Sequence, residues 1–350
     1  MAKSMSLDDL FRIAVERKAS DLHLAVGKPP ILRIDGVLIP IENYEALDDK
    51  QIKELTLSIL SDNLKERFIH ERELDISYEI PDISRFRVNF HWEKNSIGMV
   101  ARVITSLTPT MEDVQMPKVV YNLLTEKQGL ILVTGPTGCG KSTSLAAMIN
   151  HINSTRSVNI ITLEDPIEFL YKPKKSIIKQ RQLGSDMVSF AQALKHVLRQ
   201  DPNVILVGEM RDLETIAATI TLAETGHLVL ATLHTFNAAQ TVDRIIDVFP
   251  PYQQTQVRLQ LSLFLKGVIS QQLVSKIRGG RIAAREILIN TPAVSNLIRE
   301  NKISQIKTVI QTSMADGMIT MDQDLKRLCS EGTIAKETAK AYMFNPESLK

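Results

Sequence analysis

The segment LILVTGPTGCGKSTSLAAMI, residues 130–149, constrains this chain more than any other. Gly135, Gly140, Lys141 and Ser142 satisfy the spacing G-x-x-x-x-G-K-[ST], with an apolar run of strand character before them and one of helical character after. In that context the glycines let successive backbone N–H groups turn inward around phosphate oxygens, and the start of the helix adds partial positive charge. Lys141 is placed to reach the β- and γ-phosphates, and Ser142 to ligate Mg²⁺. The loop of Gly135, Pro136, Thr137, Gly138, Cys139, Gly140, Lys141, Ser142 and Thr143 is therefore the expected site for a nucleoside triphosphate, with ATP and Mg²⁺ as ligands. A glycine-rich turn carrying a solvated lysine is the bland alternative, and the flanking strand and helix speak against it.

The sequence around the motif extends the same pattern. Four short apolar runs, LILVTG, NIITLED, NVILVGE and HLVLATLH, are separated by helical stretches such as SFAQALKHVLRQ and LETIAATITLAET. Buried strands alternating with helices predict a parallel sheet with crossover helices. From residue 252 onward the chain reads as mostly helical, with RIAAREILI as one further strand.

The first hundred residues have another character. Leu7, Leu10, Phe11, Ala14 and Val15 recur at helical spacing behind a Ser/Asp start, and Asp35-Gly36 between alternating apolar runs predicts a tight hairpin turn. Residues 48–60 read as a second helix, and 73–105 as three strands. We expect an α+β domain over 1–106, a proline-punctuated linker over 107–117, and an α/β domain over 118–350 whose helical part begins at about 252.

Bulk properties exclude several classes. The apolar runs are far shorter than the roughly 20 residues of a membrane span, and Asp8 and Asp9 interrupt the place where a secretory signal has its apolar core. A cytoplasmic location is expected. A net charge of +2 gives no electrostatic case for nucleic acid as a partner. Cys139 and Cys329, the chain's two cysteines, make neither a zinc cluster nor a disulfide framework.

Each of the four runs ends in residues that bind phosphate, metal or water, and open α/β sheets gather their ligands at that edge. Glu209 stands where P-loop enzymes place the carboxylate that holds Mg²⁺ or orients the attacking water. The position before it is Gly208 rather than an aspartate, which leaves metal ligation mainly to Ser142 and water activation to Glu209. Glu164, with Asp165 and Glu168, supplies a second carboxylate cluster, read either as a polariser of the water or as turn acids. His234 is read either as a γ-phosphate contact or as a satisfied strand-end histidine. In the first domain SRFRVNF puts Phe86, Val88 and Phe90 on one face of a strand and Arg85 and Arg87 on the other, with Arg102 on the next strand. These arginines are a solvated face, or they act in trans on a neighbouring subunit's phosphates. The cluster YKPKKSIIKQR, 171–181, reads as a solvated loop.

These residues carry a family resemblance. GPTGCGKST, ITLEDPIEF, VGEMRD and AETGHLVLATLHTFNA resemble the Walker A, Asp, Walker B and His boxes of the type II/type IV secretion ATPases. ASDLHLAVGKPPILRIDG is similar to that family's opening, and REILINTPAVSNLIRE to the signature of its pilus-retraction, PilT-type branch. The resemblance implies a PAS-like N-terminal domain, a RecA-like second domain and a homohexameric ring that hydrolyses ATP with Mg²⁺ at the inner face of the inner membrane. It implies that the ring acts on a PilC-like pilus platform protein, through residues 293–300, and it brings in a paralogous retraction ATPase as a further partner. It makes Lys141 and Ser142 the phosphate and magnesium contacts, Glu209 and Glu164 the catalytic acids, His227 and His234 the His-box pair, and Arg85, Arg87 and Arg102 the candidate trans arginines.

Ser295 departs from the retraction signature, which has an arginine there, and IGMVARVI and INTP resemble the accessory PilU-type branch. Main and accessory retraction motors therefore both stay open. Extension and secretion ATPases of the same class carry a tetracysteine insertion that is missing from this sequence. A non-hydrolysing nucleotide-binding scaffold and a nucleic-acid translocase are the rivals from other classes.

Overall fold

The computed structural model describes residues 6–34, 36–81, 83–104 and 108–349. The chain divides into two compact units, Met1–Leu107 with Glu168–Leu170, and Thr108–Ile167 with Tyr171–Lys350.

The first unit runs α1 (Leu7–Glu16), β1 (Asp21–Leu24), β2 (Ile31–Ile34), β3 (Val37–Pro40), α2 (Asp49–Ser58), α3 (Asp62–Glu71), β4 (Glu73–Ile80), β5 (Ser84–Glu93) and β6 (Ser96–Ile104). Its strands form one antiparallel six-stranded sheet in the order β3-β2-β1-β6-β5-β4. The Ser6 hydroxyl caps α1 by accepting from the Asp9 N–H at 3.1 Å, and the helix lays Leu7, Leu10, Phe11 and Ala14 on the sheet. There the ring of Phe11 stacks on Phe86 with centroids 4.3 Å apart. Phe86, Val88 and Phe90 alternate inward along β5 and are fully buried, each stabilising the unit by about 1.5–3 kcal/mol on transfer from water. A capping box between Asp48 and Gln51 starts α2. Helix α3, absent from the sequence expectation, buries Phe68 alone, so its apolar periodicity is too sparse to register. The β2–β3 hairpin closes with Ile34 opposite Val37; Asp35 of the expected turn lies outside the described residues.

The second unit continues with α4 (Lys118–Leu123), β7 (Gly129–Thr134), α5 (Lys141–Thr155), β8 (Asn159–Glu164), β9 (Ile177–Gln182), α6 (Phe190–Val197), β10 (Val204–Val207), α7 (Leu213–Glu224), β11 (Leu228–Leu233), α8 (Ala238–Asp247), α9 (Pro251–Phe264), β12 (Leu265–Ser275), β13 (Arg281–Ile289), α10 (Pro292–Arg299), α11 (Ile306–Thr312), α12 (Met321–Ser330) and α13 (Lys336–Tyr342). Its sheet has seven strands in the order β13-β12-β7-β11-β10-β8-β9, all parallel except β13.

Alternation along each strand feeds two cores. Leu130 and Leu132 of β7 join Ile205, Val229 and Val268 against α6 to α11, whereas Ile131 and Val133 point to the other face against α4 and α5. Helices on both faces make the central strands almost wholly buried, which is why they read as continuous apolar runs. Residues 108–117 are counted with this unit; Met111 and Met116 are buried in the α4–α5 core.

Two elements correct the sequence reading. Half of the supposed loop YKPKKSIIKQR is β9, an edge strand whose alternating Lys179 and Arg181 hid its pairing with β8. β12 was absorbed into a stretch read as helical, because LKGVISQQLVS carries Gly267 and two glutamines among its apolar residues.

Candidate active site

β7, β11, β10 and β8 lie side by side in parallel, so the residues after their carboxyl ends meet along one edge of the sheet in that order. Leaving β7, the chain enters the phosphate loop with Gly135 at φ 141°, Gly138 at φ 78° and Gly140 at φ 86°, the last being the N-cap of α5. A Cβ on Gly135 would meet the Gln271 carbonyl oxygen at 2.3 Å and Cys139 Sγ at 2.7 Å, so glycine is obligatory there. Nothing lies within 4 Å of where a Gly138 Cβ would stand; that open, positive-φ stretch running into a 15-residue helix N-terminus is a cradle suited to phosphate oxygens. Cys139 is buried, and burial pushes its thiol up, away from nucleophilic character.

Lys141 folds over the loop, its Nζ donating to the carbonyls of Gly135 at 2.7 Å and Pro136 at 3.2 Å. The same Nζ stands 3.4 Å from His234 Nδ1. An ammonium only donates, so Nδ1 accepts and the His234 proton sits on Nε2. That Nε2 meets Glu209 Oε1 at 2.9 Å, and Arg211 Nη2 meets Glu209 Oε2 at 2.8 Å. Burial would by itself push the Glu209 carboxyl up. The hydrogen bond from Arg211, the electrostatic pull of the His234 Nε2–H, and the charges of Arg211 and Lys141 outweigh it and hold the group below the usual carboxylate range.

Glu164 ends β8 and is almost fully buried; its Oε1 accepts from Thr162 Oγ1 at 2.6 Å and from Gln180 Nε2 of β9 at 3.2 Å. Gly208 explains itself against this strand: a Cβ there would stand 3.1 Å from the Leu163 carbonyl oxygen and 3.3 Å from Glu164 Cα. Asp165 is exposed, and Glu168 is counted with the first unit.

Lys141, His234, Glu209 and Glu164 thus share one sheet edge. His227 does not join them. It precedes β11, whose 6 residues separate it from His234, a span of about 20 Å at strand rise. Its Nδ1 is instead 3.0 Å from the Leu222 carbonyl oxygen and 3.2 Å from Thr225 Oγ1, where it closes the turn after α7.

In the first unit, Ser77, Arg87, Arg102, Asp21 and Arg33 stand opposite one another in register across β4, β5, β6, β1 and β2. Arg102 Nε donates to the buried Asp21 at 2.9 Å, Arg87 lies 3.9 Å from Asp75, and Arg85 Nε is buried without a hydrogen-bond partner.

Three site residues, Gln180 beside Glu164, Arg211 and Gln271, escaped the sequence reading. Arg211 sits two positions beyond Glu209 and was visible in VGEMRD, but nothing in its type separated it from a solvated arginine. Gln271 of β12 donates from Nε2 to the Cys139 carbonyl at 2.7 Å and accepts from Ser144 Oγ at 2.9 Å, bracing the phosphate loop from below. It was hidden with its strand.

A family model described as "Type II/IV secretion system protein" matches residues 3–279. The chain belongs to that family. Within it, the chain is 47% identical over 345 residues to the type IV pilus retractation ATPase PilT of Pseudomonas aeruginosa, covering 99% of this chain and 100% of the relative. It is 40% identical over 347 residues to the type IV pilus ATPase PilU of the same species, covering 99% and 91%. A crystal structure of the pilus retraction motor PilT with bound ADP superposes with a TM-score of 0.93 at 43% identity, covering 99% of both chains. The secretion-ATPase fold, an N-terminal domain followed by a RecA-like nucleotide-binding domain, is therefore that of this chain.

Proposed function

We propose that this protein is a Mg²⁺-dependent ATPase that powers type IV pilus retraction as a homohexamer at the inner face of the inner membrane. The observation that carries the reading is the chain Lys141–His234–Glu209 at the mouth of the phosphate loop. A carboxylate held ionised beside the lysine that meets the terminal phosphates is placed to orient an attacking water. Lys141 must leave the Gly135 and Pro136 carbonyls to reach a nucleotide, and His234 is placed to follow that movement to Glu209.

Ser142, at the start of α5, is the residue to hold Mg²⁺, whose role is to neutralise charge on the phosphate oxygens. Glu164, buried against Thr162 and Gln180, is a carboxyl group fixed at the same edge rather than a solvent-facing base. The platform protein of the pilus is the proposed mechanical partner. The exposed residues Ala293, Asn296 and Arg299 of α10, with Glu300 just after it, form the offered face, while Ser295 turns its hydroxyl to the Ser262 carbonyl and locks α10 to α9.

The test is Mg²⁺-ATPase rate against protein concentration, read with mass photometry, beside retraction in a piliated strain that lacks its own retraction ATPase. Hydrolysis that rises with ring formation and restored retraction support the reading. Nucleotide binding without turnover in assembled rings would leave a scaffold, and turnover with pilus extension instead of retraction would assign the chain to assembly.

A further inference from the structure

Gln271, which braces the phosphate loop, stands directly opposite Arg285 in the β12–β13 register, so both side chains leave the same face of the sheet. Arg285 is 3% exposed. Its two Nη atoms donate to main-chain carbonyls, Val114 at 2.8 Å and Gln115 at 3.1 Å, while Nε has no hydrogen-bond partner among the described residues. Burial brings its pKa down to about 10, so it stays charged at neutral pH.

Those carbonyls end a tight turn in the stretch by which the chain passes from one unit into the other. Thr110 and Asp113 cap each other's N–H groups, Gln115 returns its N–H to the Glu112 carbonyl, and Met116 returns its own to Met111. The other end of the turn is gripped from the phosphate-loop helix itself, where Asn150 of α5 donates to the Pro109 carbonyl at 3.1 Å. Residues 109–115 are thus held at one end by the helix that begins with Lys141 and at the other by the strand neighbour of the residue under Cys139. Asp324, whose charge offsets part of that burial, accepts from the Arg285 main-chain N–H at 2.8 Å; a buried arginine is still a costly way to anchor a loop, since an apolar side chain would fill the same space without desolvating a charge.

We infer that Gln271 and Arg285 form a brace through which nucleotide in the phosphate loop tightens the turn at 109–115. Nucleotide fixes the loop carbonyl of Cys139, which fixes Gln271 and β12; β13 moves with its partner strand, and Arg285 carries the constraint to Val114 and Gln115. The coupling is reciprocal, so loosening the turn weakens nucleotide binding by the same factor.

The inference rests on the phosphate loop's binding nucleotide, and the experiment separates the two. ADP binding is measured by calorimetry on the full chain, and amide hydrogen exchange of residues 108–117 is followed with and without saturating ADP. Wild type, Arg285→Lys, Gln271→Leu and Asn150→Ala are compared. The expected result is exchange slowed by about fivefold or more on ADP binding in wild type, with that ratio collapsing toward one in Arg285→Lys and Gln271→Leu and shrinking in Asn150→Ala. Arg285→Lys keeps the charge but not the fork, so it tests the paired carbonyl contact in a folded protein. Exchange that is faster in the variants by the same factor with and without ADP means a packing role only and overturns the brace. ADP bound to wild type with no change at 108–117 also overturns it. Failure of wild type to bind ADP would instead sink the nucleotide reading beneath it.

Discussion

His234 Nε2 lies 2.9 Å from Glu209 Oε1, and the other nitrogen of the same ring faces Lys141 at 3.4 Å. One imidazole therefore stands between the lysine proposed to meet the terminal phosphates and the carboxylate proposed to orient the water. Glu209→Gln keeps the shape and loses the charge, and it is expected to bind ATP with near wild-type affinity while hydrolysing it at least about 10²-fold more slowly. His234→Ala is expected to lower kcat more than it raises KM for ATP. Steady-state kinetics with a binding assay check both; turnover near wild type in Glu209→Gln would move the catalytic role to Glu164.

The pH dependence of stability follows from the same ion cluster. Glu209 is held below its ordinary carboxylate range in the folded protein. Its contribution is present above the unfolded carboxylate pKa and is lost as pH falls through the folded one. The melting temperature of wild type should therefore drop relative to that of Glu209→Gln as pH is taken from about 6 to about 3 without nucleotide. A constant difference across that range would show that the Arg211 and His234 contacts do not favour the ionised form.

Much of this site was legible because its elements are local. The phosphate loop is one contiguous motif, and Glu164, Glu209 and His234 each end a buried apolar run, so the rule that parallel strands present their carboxyl ends together was enough to gather them. Gln271 and Gln180 were not legible. Each reaches the site through a strand pairing, β12 on β7 and β9 on β8, and pairing partners far apart in sequence leave no periodic signal. His227 fails for the converse reason: the motif that contains both histidines spans a whole strand, and the strand carries them to opposite edges of the sheet.

Gly208 offers a direct trial of that packing. Gly208→Asp would supply the aspartate that P-loop proteins commonly carry there, yet its Cβ would stand 3.1 Å from the Leu163 carbonyl oxygen and 3.3 Å from Glu164 Cα. It also sets a second carboxylate beside buried Glu164. We expect a loss of ATPase activity and a less stable protein by about 1–3 kcal/mol from crowding. Activity at or above the wild-type level, with an unchanged melting temperature, would show that β8 yields and that the site accommodates an acidic metal ligand.

The arginines of the first unit differ in how far their structural roles confound a catalytic test. Arg102 is the 2.9 Å partner of Asp21, a carboxylate only 4% exposed, so Arg102→Ala strips a buried acid of its closest cation and is expected to destabilise the unit by about 1–3 kcal/mol. Arg85 packs its Nε out of solvent. Arg87 lies 3.9 Å from an exposed Asp75, a pairing of about 0–1 kcal/mol, and so is the side chain most easily released to another subunit's nucleotide. We expect Arg87→Ala to leave the melting temperature and ring assembly unchanged and to cut ATP turnover per ring by about 10³-fold or more if it stabilises transferring phosphate in trans. Mixed rings make the test decisive: a chain carrying Arg87→Ala and an intact phosphate loop should restore turnover when combined with a chain carrying Lys141→Ala and an intact Arg87. Arg87→Ala rings that hydrolyse at the wild-type rate would return that arginine to the solvated face.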